Sequence, residues 1–322
     1  MEYRRLGKSG LKVSEIALGS WLTYGTVTEK EQAVACIKQA YDLGINHFDC
    51  ANVYGSAPHA AEQFLGAALA GYERDSYVLT TKAYWPVGSG VNDRGLSRKH
   101  IIAQVEKSLR ALKTDYVDIF YCHRFDPDTD LEETLFAIDD LIRQGKVLYG
   151  GFSEWSAERI AHGVQLQKEL QLHKFAASQP EYNMLQRSIE QAVIPLCEAS
   201  GIGQVVWSPL AQGVLTGKYA IGQSVPAESR AATDKVKGPM QRYLTEAALQ
   251  KVEKLKPLAM QAELSLAQLA IAWVLRQPNV SSALIGASRP EQVVENAKAV
   301  GVRLSDSLLA QIDEVLGIDT KR

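Results

Sequence analysis

The feature that most constrains the fold of this 322-residue chain is a regular alternation of short apolar runs with longer helical patterns. Eight runs rich in Val, Ile, Phe and Tyr are typical of strands, namely IALGS, HFDCA, YVLTTKA, YVDIFYCH, VLYGGFS, FAASQPEY, QVVWSPL and SALIGAS. Helical patterns separate them at 28–44, 58–70, 97–112, 131–144, 156–170, 187–200, in a long region that ends near 276, and at 290–300. Eight β-then-α units predict a parallel sheet, which closes into a (β/α)8 barrel.

The competing layout for this pattern is an open, doubly wound sheet. The usual dinucleotide fingerprint of that layout, G-x-G-x-x-G, occurs nowhere in the chain. No composition break or low-complexity tract divides the sequence, so we interpret residues 1–322 as one barrel domain. The stretch YRRL-GKSG-LKVS predicts an N-terminal β-hairpin, and SDSLLAQIDEVLG predicts an extra amphipathic C-terminal helix.

Charge and composition argue against several classes of partner. The net charge is -2 and no basic block occurs, so neither nucleic acid nor an anionic membrane is expected as the main partner. No apolar run approaches the roughly 20 residues that span a bilayer, and the N-terminus lacks the apolar segment of a signal peptide. The four cysteines form no C-x-x-C pair, which favours reduced core residues over disulfides or a zinc site. We therefore expect a cytoplasmic protein without membrane insertion.

Polar residues at the ends of consecutive strands form a candidate catalytic group. In a barrel the carboxyl ends of the strands face the active-site mouth, which brings together Asp49, Lys82 and His123, with Tyr54 in the loop after Asp49. A buried carboxylate is costly unless it is paired, so Asp49 requires a cation, and Lys82 supplies one. Taken singly, an Asp-Lys pair or a histidine in an apolar strand also fits a purely structural role. Four polar groups at matching strand ends favour a shared site.

Each of the four takes a chemical role that the others make useful. A tyrosine hydroxyl has an unperturbed pKa of about 10, and a nearby ammonium lowers it. We expect Lys82, held by Asp49, to bring the pKa of Tyr54 toward neutrality, so that Tyr54 acts as general acid. His123 would polarise a carbonyl oxygen beside it. No nucleophilic serine or cysteine with a base is evident, which favours the hydride of a reduced nicotinamide as the attacking species.

On these motifs the chain resembles the aldo-keto reductases, in particular the branch with bacterial reductases and the β subunits of voltage-gated potassium channels. The resemblance runs from YRRLGKSGLKVSEIALGSW to LIGASRPEQVVENAKAV, nearly the whole chain. It implies a (β/α)8 barrel that binds NADPH without a Rossmann domain. The family's catalytic tetrad then falls on Asp49 and Tyr54 in FDCANVYG, Lys82 in LTTKA and His123 in YCHR.

The resemblance also implies a set of residues that bind NADP(H). Ser153 and Gln179 would bind the nicotinamide carboxamide, and Trp207 would stack on the ring. Arg289 precedes a predicted helix that begins near Pro290, a place suited to a 2′-phosphate, which favours NADPH over NADH. The remaining implied contacts are Gly19, Trp21, Asp49, Glu154, Ser208, Pro209, Leu210, Gln212, Gly213, Lys218, Arg230, Gly286, Ser288, Gln292, Glu295 and Asn296. GASRP also fits an ordinary strand-to-helix turn, and Trp207 also fits a core position.

Two positions depart from the family pattern. Many members have Asn where this chain has Glu154, which alters one carboxamide contact. Channel β subunits carry Asn at the position of His123, so the histidine favours the catalytically competent members.

Aromatic residues in strand-end loops predict an apolar substrate pocket that favours hydrophobic or aromatic aldehydes. These aromatic residues are Trp21, Tyr24, Tyr84, Trp85 and Trp155.

The resulting hypothesis is NADPH-dependent reduction of a small-molecule aldehyde or ketone to an alcohol, with Tyr54 as general acid. The alternative is an NADPH-binding redox sensor or a channel-type auxiliary subunit with slow turnover, in which the aperiodic segment 211–243 covers the cofactor. A metal-dependent hydrolase is disfavoured because His123 alone among six histidines ends a strand candidate. The sequence leaves the substrate open, and also whether the protein forms a homo-oligomer.

Overall fold

Eight parallel strands close into a barrel, as the alternating pattern predicts. The computed structural model describes residues 1–21, 30–222 and 240–317. The barrel strands follow one another around the axis in chain order, and the last pairs with the first. They are β3 (Ile16–Gly19), β4 (His47–Asp49), β5 (Val78–Ala83), β6 (Val117–Cys122), β7 (Val147–Phe152), β8 (Ala177–Ser178), β9 (Gly203–Val206) and β10 (Val280–Ile285).

Helices pack around the barrel and join its strands. Within the described residues they are α1 (Lys30–Asp42), α2 (Ala60–Leu69), α3 (Arg98–Leu112), α4 (Leu131–Arg143), α5 (Ala157–Glu169), α6 (Val193–Ser200), α7 (Glu246–Gln261), α8 (Leu266–Leu275), α9 (Pro290–Ala297) and α10 (Asp306–Leu316). The predicted (β/α)8 barrel is therefore confirmed, and α10 is the predicted extra C-terminal helix.

Two helical predictions differ from the structure for local reasons. The pattern at 187–200 is divided into a 3-10 turn at Ser188–Glu190 and the short α6, because Pro195 is tolerated in the first turn of a helix but not in its interior. The long region that ends near 276 is divided into α7 and α8. Glu263 adopts a left-handed conformation with φ 55°, and Ser265 then begins α8 with a capping box formed with Gln268.

The two-residue period of the strands determines which side chains enter the barrel. In β5, Val78 packs in the inner apolar cluster and Leu79 packs in the outer one, against the helices. Thr81 also faces outward, where its hydroxyl donates to Glu62 of α2 at 2.5 Å. Since successive side chains alternate in direction, Thr80 and Lys82 share the inner face with Val78.

The predicted N-terminal hairpin is present, and it covers one end of the barrel. Strands β1 (Tyr3–Arg5) and β2 (Lys12–Ser14) pair in antiparallel fashion. Leu6 and Val13 pack in the inner barrel cluster, and the Lys8 amide donates to the Gly201 carbonyl just before β9. These contacts lie at the amino ends of the barrel strands. The loops at the carboxyl ends therefore form the opposite face.

No single helix among the described residues is both long and apolar enough to cross a membrane. Helices α7 and α8 meet these criteria only when they are taken together, and they meet at an angle of 87°.

Candidate active site

Asp49 and Lys82 form a buried ion pair inside the barrel. The Lys82 ammonium donates to Asp49 Oδ2 at 2.5 Å and to the Cys50 carbonyl oxygen at 2.8 Å. Lys82 is 0% exposed and Asp49 is 3% exposed. Both side chains point inward because β4 and β5 are adjacent parallel strands whose inner positions lie side by side. The structure thus gives Asp49 the cation that its burial requires.

The other Asp49 oxygen is held by two neutral donors. Thr80 Oγ1 donates to Oδ1 at 2.6 Å, and Gln179 Nε2 donates to the same atom at 2.9 Å. Sequence reasoning missed Thr80 as part of this group. Its position two residues before Lys82 was the available signal, because residues i and i+2 of a strand share a face.

Tyr54 and His123 meet above this pair. Tyr54 Oη lies 3.4 Å from His123 Nε2, and the Lys82 nitrogen lies 4.9 Å from the centre of the Tyr54 ring. The loop that carries Tyr54 leads directly into α2, and the Tyr54 carbonyl oxygen accepts from the Ala61 amide at the start of that helix. Gly55 has φ 105°, and a Cβ there would come within 2.9 Å of the Ala61 amide nitrogen. The loop that carries the phenol therefore needs glycine at this position.

Burial dominates the acidity of Tyr54. Loss of water around the hydroxyl raises the pKa of Tyr54, and the Lys82 charge opposes this rise without overcoming it. The expectation that Lys82 brings this pKa down toward neutrality is therefore wrong for the protein as the structure describes it. Tyr54 carries its proton near neutral pH, which is the form that a proton donor needs.

The charges of the neighbouring groups are also set by burial and by the ion pair. Burial disfavours the ammonium of Lys82, but the Asp49 carboxylate outweighs it and raises the pKa of Lys82. Burial lowers the pKa of His123 well below its usual value, and the positive charges of Lys82 and Arg124 lower it further. Near neutral pH the site thus holds a cationic lysine, a neutral phenol and a neutral imidazole.

The residues expected to contact the nicotinamide lie at the ends of β7, β8 and β9. Ser153 Oγ donates to the Gln179 carbonyl oxygen at 2.7 Å, which joins the two predicted carboxamide ligands. Trp207 Nε1 donates to Glu154 Oε1 at 2.9 Å. Glu154 has φ 57°, a left-handed conformation that asparagine tolerates better than most residues. Its carboxylate holds the Trp207 indole in place, a contact that sequence reasoning missed.

The segment after Trp207 has a backbone suited to an anion. Ser208, Ala211, Gln212 and Gly213 all have positive φ, between 46° and 97°. A left-handed residue beside a right-handed one, such as Ala211 after Leu210 with φ −97°, is the pair from which anion-binding nests are built. The Ala211 and Gly213 amides themselves donate to the Ser208 and Leu210 carbonyl oxygens. The segment also contains Pro209 and Leu210. Gly213 lies beside the Lys218 side chain, since a Cβ at this glycine would be 3.5 Å from the Lys218 nitrogen. Arg230, expected near the adenine, lies outside the described residues.

The last group of expected cofactor residues surrounds the N-terminus of α9. Gly286, Ser288 and Arg289 are exposed in the turn between β10 and this helix. Gln292 Oε1 accepts from the Ser288 amide at 2.9 Å. On the same helix, Glu295 accepts from Gln268 at 2.7 Å and Asn296 is buried. Glu295 and Asn296 therefore join the helix to the neighbouring α8 and the protein interior.

The aromatic residues predicted to line the substrate pocket lie in different parts of the fold. Trp85 lies near His123, with ring centres 6.4 Å apart, and Tyr84 packs edge-on against Trp85, with ring centres 5.1 Å apart. Trp155 is misplaced by the prediction, because it is 4% exposed and stacks on Phe152 with ring centres 5.0 Å apart, in the layer between β7 and α5. The alternation of side chains breaks at the left-handed Glu154, so Trp155 lies on the outer side of β7 with Phe152, packed against α5. Tyr24 lies outside the described residues.

Gly19 and Trp21 lie at the end of β3, beside the ion pair. Gly19 pairs in register with Asp49, and the Ser20 amide donates to the Asp49 carbonyl oxygen at 2.9 Å. Trp21 is partly buried at the edge of this face. In the part of the chain that the structure describes, no group of three or more His, Cys, Asp or Glu side chains could hold a metal ion.

The comparisons with known proteins agree with this architecture. The profile of the Aldo/keto reductase family matches residues 15–317, and the chain belongs to this family. Proteins named probable voltage-gated potassium channel subunit beta are 43% identical in Oryza sativa subsp. japonica and 44% identical in Arabidopsis thaliana, over 100% of this chain and 98% of each relative. L-glyceraldehyde 3-phosphate reductase of Escherichia coli K12 is 41% identical over 98% of this chain and 92% of the relative.

Proposed function

We propose that this protein is an NADPH-dependent reductase of small aldehydes and ketones that acts in the cytoplasm. The observation that carries the proposal is the convergence of Tyr54, His123 and the Asp49–Lys82 pair at the carboxyl end of the barrel. Membership of the aldo/keto reductase family supports it. So does a relative, 41% identical, whose name is that of an aldehyde reductase.

The donor set around the barrel mouth fits a nicotinamide dinucleotide. Ser153 and Gln179 supply amide and hydroxyl groups for the carboxamide, and Trp207, held by Glu154, supplies a flat face for the ring. The positive-φ segment from Ser208 to Gly213 suits the pyrophosphate. Ser288 and Arg289, at the N-terminus of α9, suit a 2′-phosphate, which favours NADPH over NADH.

The reaction requires two donors at one carbonyl oxygen. NADPH, when bound at the barrel mouth, would supply the hydride for the carbonyl carbon. Tyr54 Oη and His123 Nε2, 3.4 Å apart, can both donate to the carbonyl oxygen when the imidazole carries its proton on Nε2. As that oxygen gains negative charge, Tyr54 gives it a proton and the product is an alcohol. The Lys82 ammonium, held by Asp49, then stabilises the phenolate until it takes a proton from water.

Replacing the Tyr54 hydroxyl tests the proposal. We expect Tyr54→Phe to lower the rate of NADPH oxidation with 4-nitrobenzaldehyde at least about 100-fold, the usual scale of a lost general acid. Tyr72→Phe removes a phenol at the end of α2, away from the site, and should leave the rate unchanged. Equal rates in wild type and Tyr54→Phe would remove Tyr54 from the mechanism. NADH in place of NADPH tests the cofactor preference in the same assay.

A second candidate is a channel-type auxiliary subunit that binds NADPH and turns over slowly. It is favoured by the two plant relatives, 43% and 44% identical, that are named probable potassium channel β subunits. Pre-steady-state kinetics separate the two functions. A fast single turnover followed by a negligible steady-state rate supports the auxiliary subunit, and sustained turnover supports the reductase.

A further inference from the structure

Arg124 brings a positive charge to the mouth of the barrel, beside the reacting groups. It follows His123 directly at the end of β6, and its Nη1 donates to the His123 carbonyl oxygen at 2.5 Å. The same nitrogen donates to Ser153 Oγ at 3.4 Å. Its Cζ lies 5.5 Å from the centre of the Trp85 ring. These contacts fix the guanidinium against an aromatic wall, within one residue of His123.

No carboxylate neutralises this guanidinium in the ranges 1–21, 30–222 and 240–317. Other partly buried arginines of the chain do have such partners, for example Arg74 with Asp118 and Arg187 with Asp313. The hydrogen bonds of Arg124 to the His123 carbonyl oxygen and to Ser153 Oγ both use Nη1 and neutral oxygens, so they do not engage its Nε and Nη2 donors. A planar guanidinium edge matches the two oxygens of a carboxylate or a phosphate.

We propose that Arg124 is a specificity-determining residue that binds the anionic group of the carbonyl substrate. The substrate class is then short aldehydes that carry a phosphate or a carboxylate, rather than the uncharged hydrophobic aldehydes that the aromatic residues alone suggest. This inference rests on the proposed reductase function. Tyr54 and His123 bind the carbonyl oxygen, Arg124 binds the charge at the other end of the substrate, and Trp85 forms the wall beside it.

Matched pairs of aldehydes test this role. Glyceraldehyde 3-phosphate and glyceraldehyde differ by a phosphate, and 4-carboxybenzaldehyde and 4-nitrobenzaldehyde have the same shape but differ in charge. We expect Arg124→Met to lower kcat/KM about 10- to 100-fold for the charged member of a pair, mainly through KM, because a hydrogen bond to a charged group is lost. The uncharged members should change less than about 3-fold. Arg124→Lys keeps the charge but not the fork and should give an intermediate loss.

The control is Arg159→Met, which removes the same charge from an exposed arginine of α5 that lies over Phe125. It should affect no aldehyde selectively. A loss confined to glyceraldehyde 3-phosphate identifies the anionic group as phosphate, and a loss confined to 4-carboxybenzaldehyde identifies it as carboxylate. Either result supports the proposal.

Other results overturn it. Equal losses for charged and uncharged aldehydes, the same selective loss in Arg159→Met, or a rise in the NADPH dissociation constant that accounts for the loss would each exclude substrate recognition by Arg124. Turnover that requires Tyr54 but shows no charge-selective loss contradicts this inference alone. Absence of turnover of all four aldehydes by the wild type overturns the proposed reductase function and this inference with it.

Discussion

The Glu154 carboxylate accepts a hydrogen bond from the Trp207 indole N–H at 2.9 Å, and the same oxygen, Oε1, accepts from the Glu181 amide at 2.6 Å. One side chain thus joins the ends of β7, β8 and β9. Glu181 in turn binds Arg242 and the Tyr243 hydroxyl, just before α7. The aromatic face proposed to stack on the nicotinamide is therefore held by an acid rather than by packing alone.

The first prediction concerns this contact. Glu154→Ala should raise the NADPH dissociation constant about 5- to 30-fold, since a charged hydrogen bond contributes about 1.5–3 kcal/mol and only part of it is used in binding. Glu154→Gln keeps an oxygen at the same place and should stay within about 3-fold of wild type. Cofactor titration by fluorescence measures both. Equal effects of the two variants would mean that Glu154 does not act through its Oε1 acceptor.

The second prediction concerns the buried ion pair. In Asp49→Asn the Lys82 ammonium loses its counter-charge while it remains fully buried, so its pKa should fall. The charged lysine then exists only at lower pH. We expect the kcat of this variant to rise as the pH falls from 8 to 6, whereas that of the wild type stays nearly constant. A variant profile parallel to the wild type would show that Asp49 does not maintain the lysine charge.

The same substitution has a consequence for stability. A lone buried charge costs about 3–5 kcal/mol in the free energy of unfolding. Combining Asp49→Asn with Lys82→Met removes both partners, and the loss should then be smaller than the sum of the two single losses. Urea unfolding of the three variants and the wild type measures this coupling. Additive losses would contradict a direct interaction between the two side chains.

The barrel, its order of strands and the meeting of the four strand-end residues follow from the sequence, because the two-residue strand period and the βα alternation are local properties. The sense of the Tyr54 pKa shift does not follow, since it depends on how much water the folded protein removes from the hydroxyl. Trp155 was placed at the mouth because sequence spacing carries no sign of the left-handed Glu154 that precedes it. Arg124 and Glu181 were missed because an arginine or a glutamate beside a strand end is also common on an ordinary surface.

The third prediction concerns pH and a histidine that the proposed reaction does not use. His47 opens β4 on the inner face, where it is 0% exposed, and neither ring nitrogen has a hydrogen-bond partner among the described residues. Burial lowers its pKa from 6.5 to about 4, with Asp49 opposing this shift and Lys82 adding to it. The unfolded chain therefore takes up the proton first. Stability from neutral His47 is present above pH 6.5 and is lost as the pH falls toward about 4.

Between pH 7.5 and 5.5 this group alone should lower the free energy of unfolding by about 1.4 kcal/mol. Buried His123 changes stability in the same direction, so the two histidines together should lower the free energy of unfolding by more than this amount. The contribution of His47 is isolated by comparison with His47→Met, whose own loss should be smaller by about 1.4 kcal/mol. Urea titrations at the two pH values measure it. Equal losses in the two proteins would mean that His47 is not held neutral by the fold.

The last prediction concerns the contact between α2, the helix that follows the Tyr54 loop, and α3. A Cβ at Gly66 would lie 2.4 Å from the Leu112 carbonyl oxygen and 2.6 Å from the Leu112 Cα, atoms that cannot move without shifting α3. Alanine stabilises a helix by about 1 kcal/mol relative to glycine, but overpacking of the new methyl group against the α3 backbone costs more. Gly66→Ala should therefore lower the free energy of unfolding by about 1–3 kcal/mol. Gly71→Ala, just beyond the end of α2, is the control for the added methyl group, since a Cβ there meets no atom within 4 Å. A Gly66→Ala protein as stable in urea as the control would show that the two helices can separate at little cost.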